Sequence, residues 1–185
     1  MSEKPILFSG PMVRAILEGR KTQTRRVVKC AGLDLCGPCG LSGEDMRLAG
    51  RDWSGNSVLL KCPHGETGSR LWVRETFQLI PDDGGSVVYR ATDPDWETTE
   101  DWTWKPSIFM PRHASRITLE ITTVRVERVQ DIGEVDAKAE GVEPFAPDDG
   151  CYRSGYAGLW DSINAKRGFG WESNPWVWLL EFKRV

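Results

Sequence analysis

Four cations, Arg20, Lys21, Arg25 and Arg26, fall within seven residues and are interleaved with the hydroxyls of Thr22 and Thr24. A threonine hydroxyl is a weak nucleophile until a neighbouring base takes its proton. A lysine that is desolvated and crowded by other cations has its pKa lowered twice over and can be that base. Lys21 and Thr24 are therefore the candidate base and nucleophile, and Arg20, Arg25 and Arg26 the candidate grip on a phosphate or other anion. The plainer alternative is a solvated basic turn leading into an edge strand, where charge discourages aggregation. Far along the chain, Glu140 ends Ala137-Lys138-Ala139-Glu140-Gly141. A carboxylate in the last turn of a helix opposes the helix dipole at a cost of up to about 1 kcal/mol. That placement suits it to proton transfer, against the simpler reading of an exposed Glu paired with an arginine.

Other polar residues are candidates for holding a substrate. Glu75 follows Arg74 on a strand, so the two point to opposite faces; Glu75 either faces a cleft or forms a buried ion pair. Arg112 could hold a phosphate, and Ser115 could bond a ligand or the backbone. Asn164 lies near the end of a late helix, and Trp171 and Trp176 offer flat faces for stacking a base. Cys36-Gly37-Pro38-Cys39, with Cys62, His64 and nearby Cys30, is a ligand set from which a structural zinc site could be drawn. Free thiols in a loop are the alternative.

The elements that must position these groups follow from periodicity. Residues 4–9 read as a short buried strand, and Ser9-Gly10-Pro11 opens a helix with Pro at its first turn. Gly19 ends it, and a strand follows near 24–28. Residues 30–69 are Gly-rich, hold all but one of the cysteines, and read as an insertion or long loop. Strands are expected at 70–77 and 86–91 around a turn at 81–85, with a loop at 92–106. The long strand 116–129 changes register at Thr122-Thr123, as at a bulge. Asp131 to Glu134 resembles a capping box for a short helix ending at Gly141. Ser154 caps a second helix with Tyr156, Leu159, Trp160 and Ile163 on one face, and 176–184 is a final strand. Mostly β, with small helices at the edges, implies one domain built on a small closed or nearly closed barrel.

Composition limits the function. At 185 residues the chain can bury a core without disulfides, and its net charge of −3 excludes a protein that is basic all over. Nucleic acid would have to meet a local basic patch. No run of residues is long and apolar enough to span a bilayer, and the N-terminus lacks the features of a secretory signal, so a cytoplasmic location is expected.

Ala15 to Arg26, Asp136 to Gly141 and Trp178 to Lys183 resemble the opening, middle and closing motifs of the ASCH family. Pro5 to Ser9, Leu71 to Thr76, Met110 to Ile117 and Asn174 to Trp178 are similar to a phage and prophage group of ASCH-like proteins. The resemblance spans most of the chain except about 30–60 and 92–106. It implies a PUA-like β-barrel whose cleft takes RNA, single-stranded nucleic acid or a modified nucleoside. One branch of the family hydrolyses the amide of N4-acetylcytidine. By that resemblance, Lys21 activates Thr24 for attack on an amide carbonyl, Glu140 handles protons, and no cofactor is needed for the chemistry. Another branch consists of ribonucleases, and a non-catalytic RNA- or DNA-binding module is the further alternative.

Overall fold

The computed structural model describes residues 3–29, 34–39, 47–80, 86–93, 95, 103–144 and 151–185, with the side chains of Cys36, Pro38 and Cys39 left aside. The main layer is a five-stranded sheet. Its strands are β1 (Glu3–Leu7), β2 (Gln23–Val27), β6 (Arg70–Arg74), β9 (Thr118–Arg128) and β10 (Trp176–Arg184), in the order β1-β6-β9-β10-β2. β1 runs parallel to β6, and the other neighbours are antiparallel.

Alternation along these strands sorts the residues by face. Ile6, Leu71, Val73, Leu119, Ile121, Val124, Val126, Trp178, Leu180 and Phe182 form the interior, joined by Phe8. The bulge expected at Thr122-Thr123 is present. Glu181 pairs with Thr123 and Phe182 with Ile121, so Thr122 is the extra residue and the inward series shifts from odd to even numbers there. One additional residue restores the inward direction while sharpening the bend of the sheet.

The expected barrel does not close by strand pairing among the described residues. β1 and β2 are the two edges of the sheet. A side chain spans the gap instead: Arg26 on β2 donates to the Leu7 carbonyl at the end of β1 over 2.7 Å. Helix α1 (Gly10–Leu17), which starts on Pro11 as expected, carries the chain from one edge to the other. It ends in Gly19 at φ +76°, a left-handed turn that glycine enters without strain.

The segment 30–69, read from sequence as irregular, contains an antiparallel sheet of β3 (Asp34–Cys39), β4 (Arg47–Arg51) and β5 (Ser57–Leu60). Its strands are short, β3 and β4 each contain a glycine, and β3 has a register shift between Leu35 and Gly37, which erases the period-2 signal. Leu48 is fully buried, and Leu35 and Leu60 pack on the main core. The strand expected over 70–77 is split: 70–74 joins the main sheet as β6, and β7 (Phe77–Ile80), which keeps only Phe77 of the expected strand, is the one that pairs with β8 (Ser86–Tyr89). Their turn at 81–85 and most of 92–106 lie outside the described residues.

Helices α2 (Glu134–Ala139) and α3 (Tyr152–Asn164) cover the outer face of β10 and β2. The capping box expected at Asp131 is displaced. Asp131 accepts from the Arg128 amide, and Gly133 takes the N-cap of α2. Glu134 accepts the Tyr152 amide at 2.7 Å and so closes the first turn of α3, which begins before the expected Ser154. The inward stripe of α3 keeps Tyr156 and Trp160, with Leu159 partly buried against them, while Ile163 is half exposed.

Several residues proposed for a cleft hold the fold instead. Glu75 is buried and takes two hydrogen bonds from Arg116, both 2.9 Å, while the Arg116 guanidinium lies 3.9 Å from the Tyr89 ring. Ser115 donates to the Val73 carbonyl at 2.8 Å. Asn164 is buried in α3 and donates to the Trp160 carbonyl. Removing one partner of a buried ion pair leaves the other uncompensated. Arg116→Ala is expected to lower unfolding stability by about 3 kcal/mol in urea titrations because it strands the buried Glu75, with Glu75→Ala costing less because the Arg116 head left behind is partly hydrated.

Candidate functional site

The face rule that builds the sheet also divides the basic segment. Register places Thr24 opposite Leu180 and Arg26 opposite Trp178, both inward, and Arg25 opposite Leu179, outward. Arg25 therefore points away from Thr24 and under α2. There its side chain is fully buried and meets three carboxylates: Glu127 at 2.6 Å, Asp136 at 3.0 Å and Glu140 at 3.1 Å. It also lies 5.9 Å from the ring of Tyr156. Gln23, on the same face, donates to the Asp136 carbonyl at 2.7 Å.

Lys21 precedes β2 and reaches around its open edge. Its Nζ donates to Glu140 Oε2 at 2.8 Å and to the Glu140 carbonyl at 2.7 Å, and it lies 5.5 Å from the Phe8 ring. Arg26 lies 5.1 Å from the same ring. Two backbone features bring α2 this close. Thr22 donates its amide to the Ala139 carbonyl. Gly141, at φ +78°, packs so tightly that a Cβ there would sit 2.8 Å from the Cβ atoms of Ala15 and Lys21.

Lys21, Thr24 and Glu140 are all buried, and the ion pair between Lys21 and Glu140 links positions 119 residues apart. No hydrogen bond among the described residues joins the Thr24 hydroxyl to either partner. A cavity of about 460 Å³ borders Lys21 and is floored by Ile16, Leu119 and Phe182; neither Thr24 nor Glu140 lines it.

Burial pulls the Lys21 amine below its ordinary pKa against the opposing attraction of Glu140, and the charges of Arg26 and Arg25 add to the lowering. Burial raises the Glu127 carboxyl despite Arg25, and raises the Tyr156 hydroxyl well above its usual value. Asp136 and Glu127, which complete the cage around Arg25, were not singled out from sequence. Asp136 had a signal, because it stands four residues before Glu140 on one helical face. Glu127 had none, since only the pairing of β9 with β10 brings it near β2.

The remaining candidates are scattered. Arg20 is half exposed and pairs with Glu18 and Glu143. Arg112 bonds Glu3 at 2.6 Å on the far side of β1. Trp171 packs edge-on to Tyr156 under Arg153, and Trp176 lies under Arg128 with its Nε1 buried and unbonded among the described residues. For the zinc expectation, Cys30 and the side chains of Cys36 and Cys39 lie outside the described residues. Cys62 is a free thiol, partly buried. His64 is held down to about pH 4 by burial and by the charges of Arg26 and Lys4. No group of three ligands occurs among the described residues.

Arg25→Met is expected to destabilise the protein by about 3–5 kcal/mol at pH 7, because it strands Glu127 and Asp136 and leaves them beside Glu140 with Lys21 as the one cation paired there among the described residues. Those carboxylates would then have raised pKa values in the folded state. The folded protein would bind more protons than the unfolded one as pH falls, so the deficit relative to wild type should shrink toward pH 4. Urea unfolding of both proteins at pH 7 and pH 4 measures this.

No family model matches the chain, and no curated protein matches it. An ASCH domain from Lactobacillus crispatus JV V101 is similar over 99% of this chain and 79% of that chain, with 12% identity and a TM-score of 0.46. A protein from Enterococcus faecalis V583, of a family designated DUF984, is similar over 100% of this chain and 82% of that chain, with 10% identity and a TM-score of 0.46. Neither likeness carries a residue role over to this chain.

Proposed function

We propose that this protein is an ASCH-type hydrolase that cleaves an amide on an N-acylated nucleobase of the cytidine type. The observation that carries this reading is the buried Lys21–Glu140 pair at 2.8 Å at the start of the edge strand β2, with the inward-facing Thr24 three residues further along the chain. The motif resemblance of Ala15 to Arg26 and Asp136 to Gly141 picks out the same three residues.

The chemistry runs through a threonine ester. Neutral Lys21 takes the Thr24 proton as Oγ1 adds to the amide carbonyl carbon, while Glu140 accepts a hydrogen bond from Nζ and orients the amine. The intermediate collapses by breaking the C–N bond, and the leaving amine takes the proton from Nζ. Water then adds to the threonine ester, gives one proton to Lys21, and releases the carboxylic acid as that proton returns to Thr24 Oγ1. A buried base with a lowered pKa is ready for this step at a pH where a solvated lysine is fully charged. Arg25, caged by its carboxylates, positions Glu140 and contacts no substrate.

A second reading, binding without turnover, draws on the same geometry. Both acceptors around Nζ belong to Glu140, and Thr24 is closed off from solvent. A nucleic-acid or nucleoside reader could use this arrangement as a rigid wall. Turnover separates the two. Thr24→Val and Lys21→Met should each lower kcat/KM on N4-acetylcytidine at least about 100-fold, the usual scale for losing a positioned acid–base group, with circular dichroism unchanged for Thr24→Val. For the wild type, kcat/KM should rise with pH through the Lys21 pKa, reaching a plateau below the ordinary lysine value. Absence of turnover by the wild type on a panel of acylated nucleosides would remove the hydrolase reading.

A further inference from the structure

The small sheet β3–β5 has two unlike faces. Leu48 and Gly50 are buried toward the main core, and Leu35 and Leu60 join them there. The opposite face carries Arg47, Ala49 and Arg51 from β4, and the register sets Leu59 beside Ala49 and Ser57 beside Arg51. Lys61 follows β5 and is exposed. None of the ion pairs among the described residues involves Arg47, Arg51 or Lys61.

The turn joining β4 to β5 presents Trp53 at 93% exposure, and Leu59 on the face is 52% exposed. A tryptophan left this open forgoes the burial of a large apolar surface, yet its turn is firmly held. Asp52 accepts the amides of Ser54 and Asn56 at 2.9 and 2.8 Å and the Asn56 side chain at 3.0 Å. Gly55 donates back to the Asp52 carbonyl at 2.9 Å. The indole is thus displayed on a rigid tip. Among the described residues, two acidic groups stand nearby: Asp52, whose carboxylate is committed to the turn, and Asp34, opposite Arg51. On a chain of net charge −3, this face still carries Arg47, Arg51 and Lys61, with Arg51 next to the turn that displays the indole.

We infer that the β3–β5 sheet is a docking surface for single-stranded nucleic acid, with Trp53 stacking a base and Arg47, Arg51 and Lys61 facing phosphates. Cation and flat aromatic together match a strand whose bases are free to stack, and the stacking needs no particular base. This rests on the reading of the cleft as directed at nucleobases and sharpens it: the modified base is taken within a strand, not only as a free nucleoside.

The test uses the full chain and a fluorescently labelled single-stranded RNA of about 12 nucleotides, within the footprint of common single-strand binders. Binding is followed by anisotropy across a salt series. Trp53→Ala should weaken binding roughly 5- to 100-fold, the scale of stacking one base on an aromatic ring. Arg47→Ala combined with Arg51→Ala should make the slope of log affinity against log salt shallower. Because Trp53 touches no core residue, its variant should keep the wild-type unfolding midpoint. Wild-type affinity in both variants, no RNA binding by the wild type, or binding to phosphatidylserine vesicles in place of RNA would each overturn the inference. Hydrolysis of free N4-acetylcytidine by the unaltered protein reports on the cleft alone. RNA binding that depends on Trp53 without such hydrolysis would remove the hydrolase reading and leave the surface standing.

Discussion

The organisation around β2 depends on burying cations next to too few opposite charges of their own. Lys21 and Arg25 are both taken out of water within one short segment, and each would cost several kcal/mol if left uncompensated. Glu140 answers both, with one oxygen on Lys21 and the other on Arg25. Asp136 and Glu127 complete the neutralisation of Arg25. This requirement decides where α2 must lie, because Asp136 and Glu140 come from it. It also explains the glycine at 141, whose missing Cβ allows the end of α2 to rest against Ala15 and Lys21. A charge cluster of this kind contributes less to net stability than to selecting one arrangement, since every wrong packing leaves an ion bare.

The same cluster separates two jobs within one strand. The outward residues, Gln23 and Arg25, tie β2 to α2. The inward residues, Thr24 and Arg26, face Phe8 and the gap between the sheet edges. Lys21 connects the two sides, because it lies just before the strand and is not bound by its alternation. Arg26 takes the place of a strand pairing by bonding the Leu7 carbonyl. Among the described residues, an opening held by one side chain is easier to widen than a continuous ladder. Burial that lowers the Lys21 pKa and the cationic surroundings that lower it further are consequences of one packing solution.

The small sheet plays a different part. Its inner face extends the main core through Leu48, while its outer face adds cations and Trp53 at a distance in sequence from the cleft. A short glycine-containing sheet of this kind costs little core to add, and it changes the chemistry of the surface without disturbing β2 and α2.

The pattern of residues by itself determined the strands and helices whose periodicity is strong: β1, α1, β6, β9 with its bulge at Thr122, α3 and β10. It also singled out Lys21, Thr24 and Glu140, since residue type and dipole position are local properties. Local pattern was silent on β3 to β5, where glycine and a register shift hide the alternation, and it placed the α2 cap two residues too early, at Asp131 instead of Gly133. Tertiary structure alone decided that Glu75, Ser115 and Asn164 hold the fold, and that the sheet remains open at β1 and β2. It decided too that Glu127 and Asp136 share Arg25. The physical reason is that an ion's partner is chosen by which groups lose water together, and that depends on the packing of segments more than 100 residues apart.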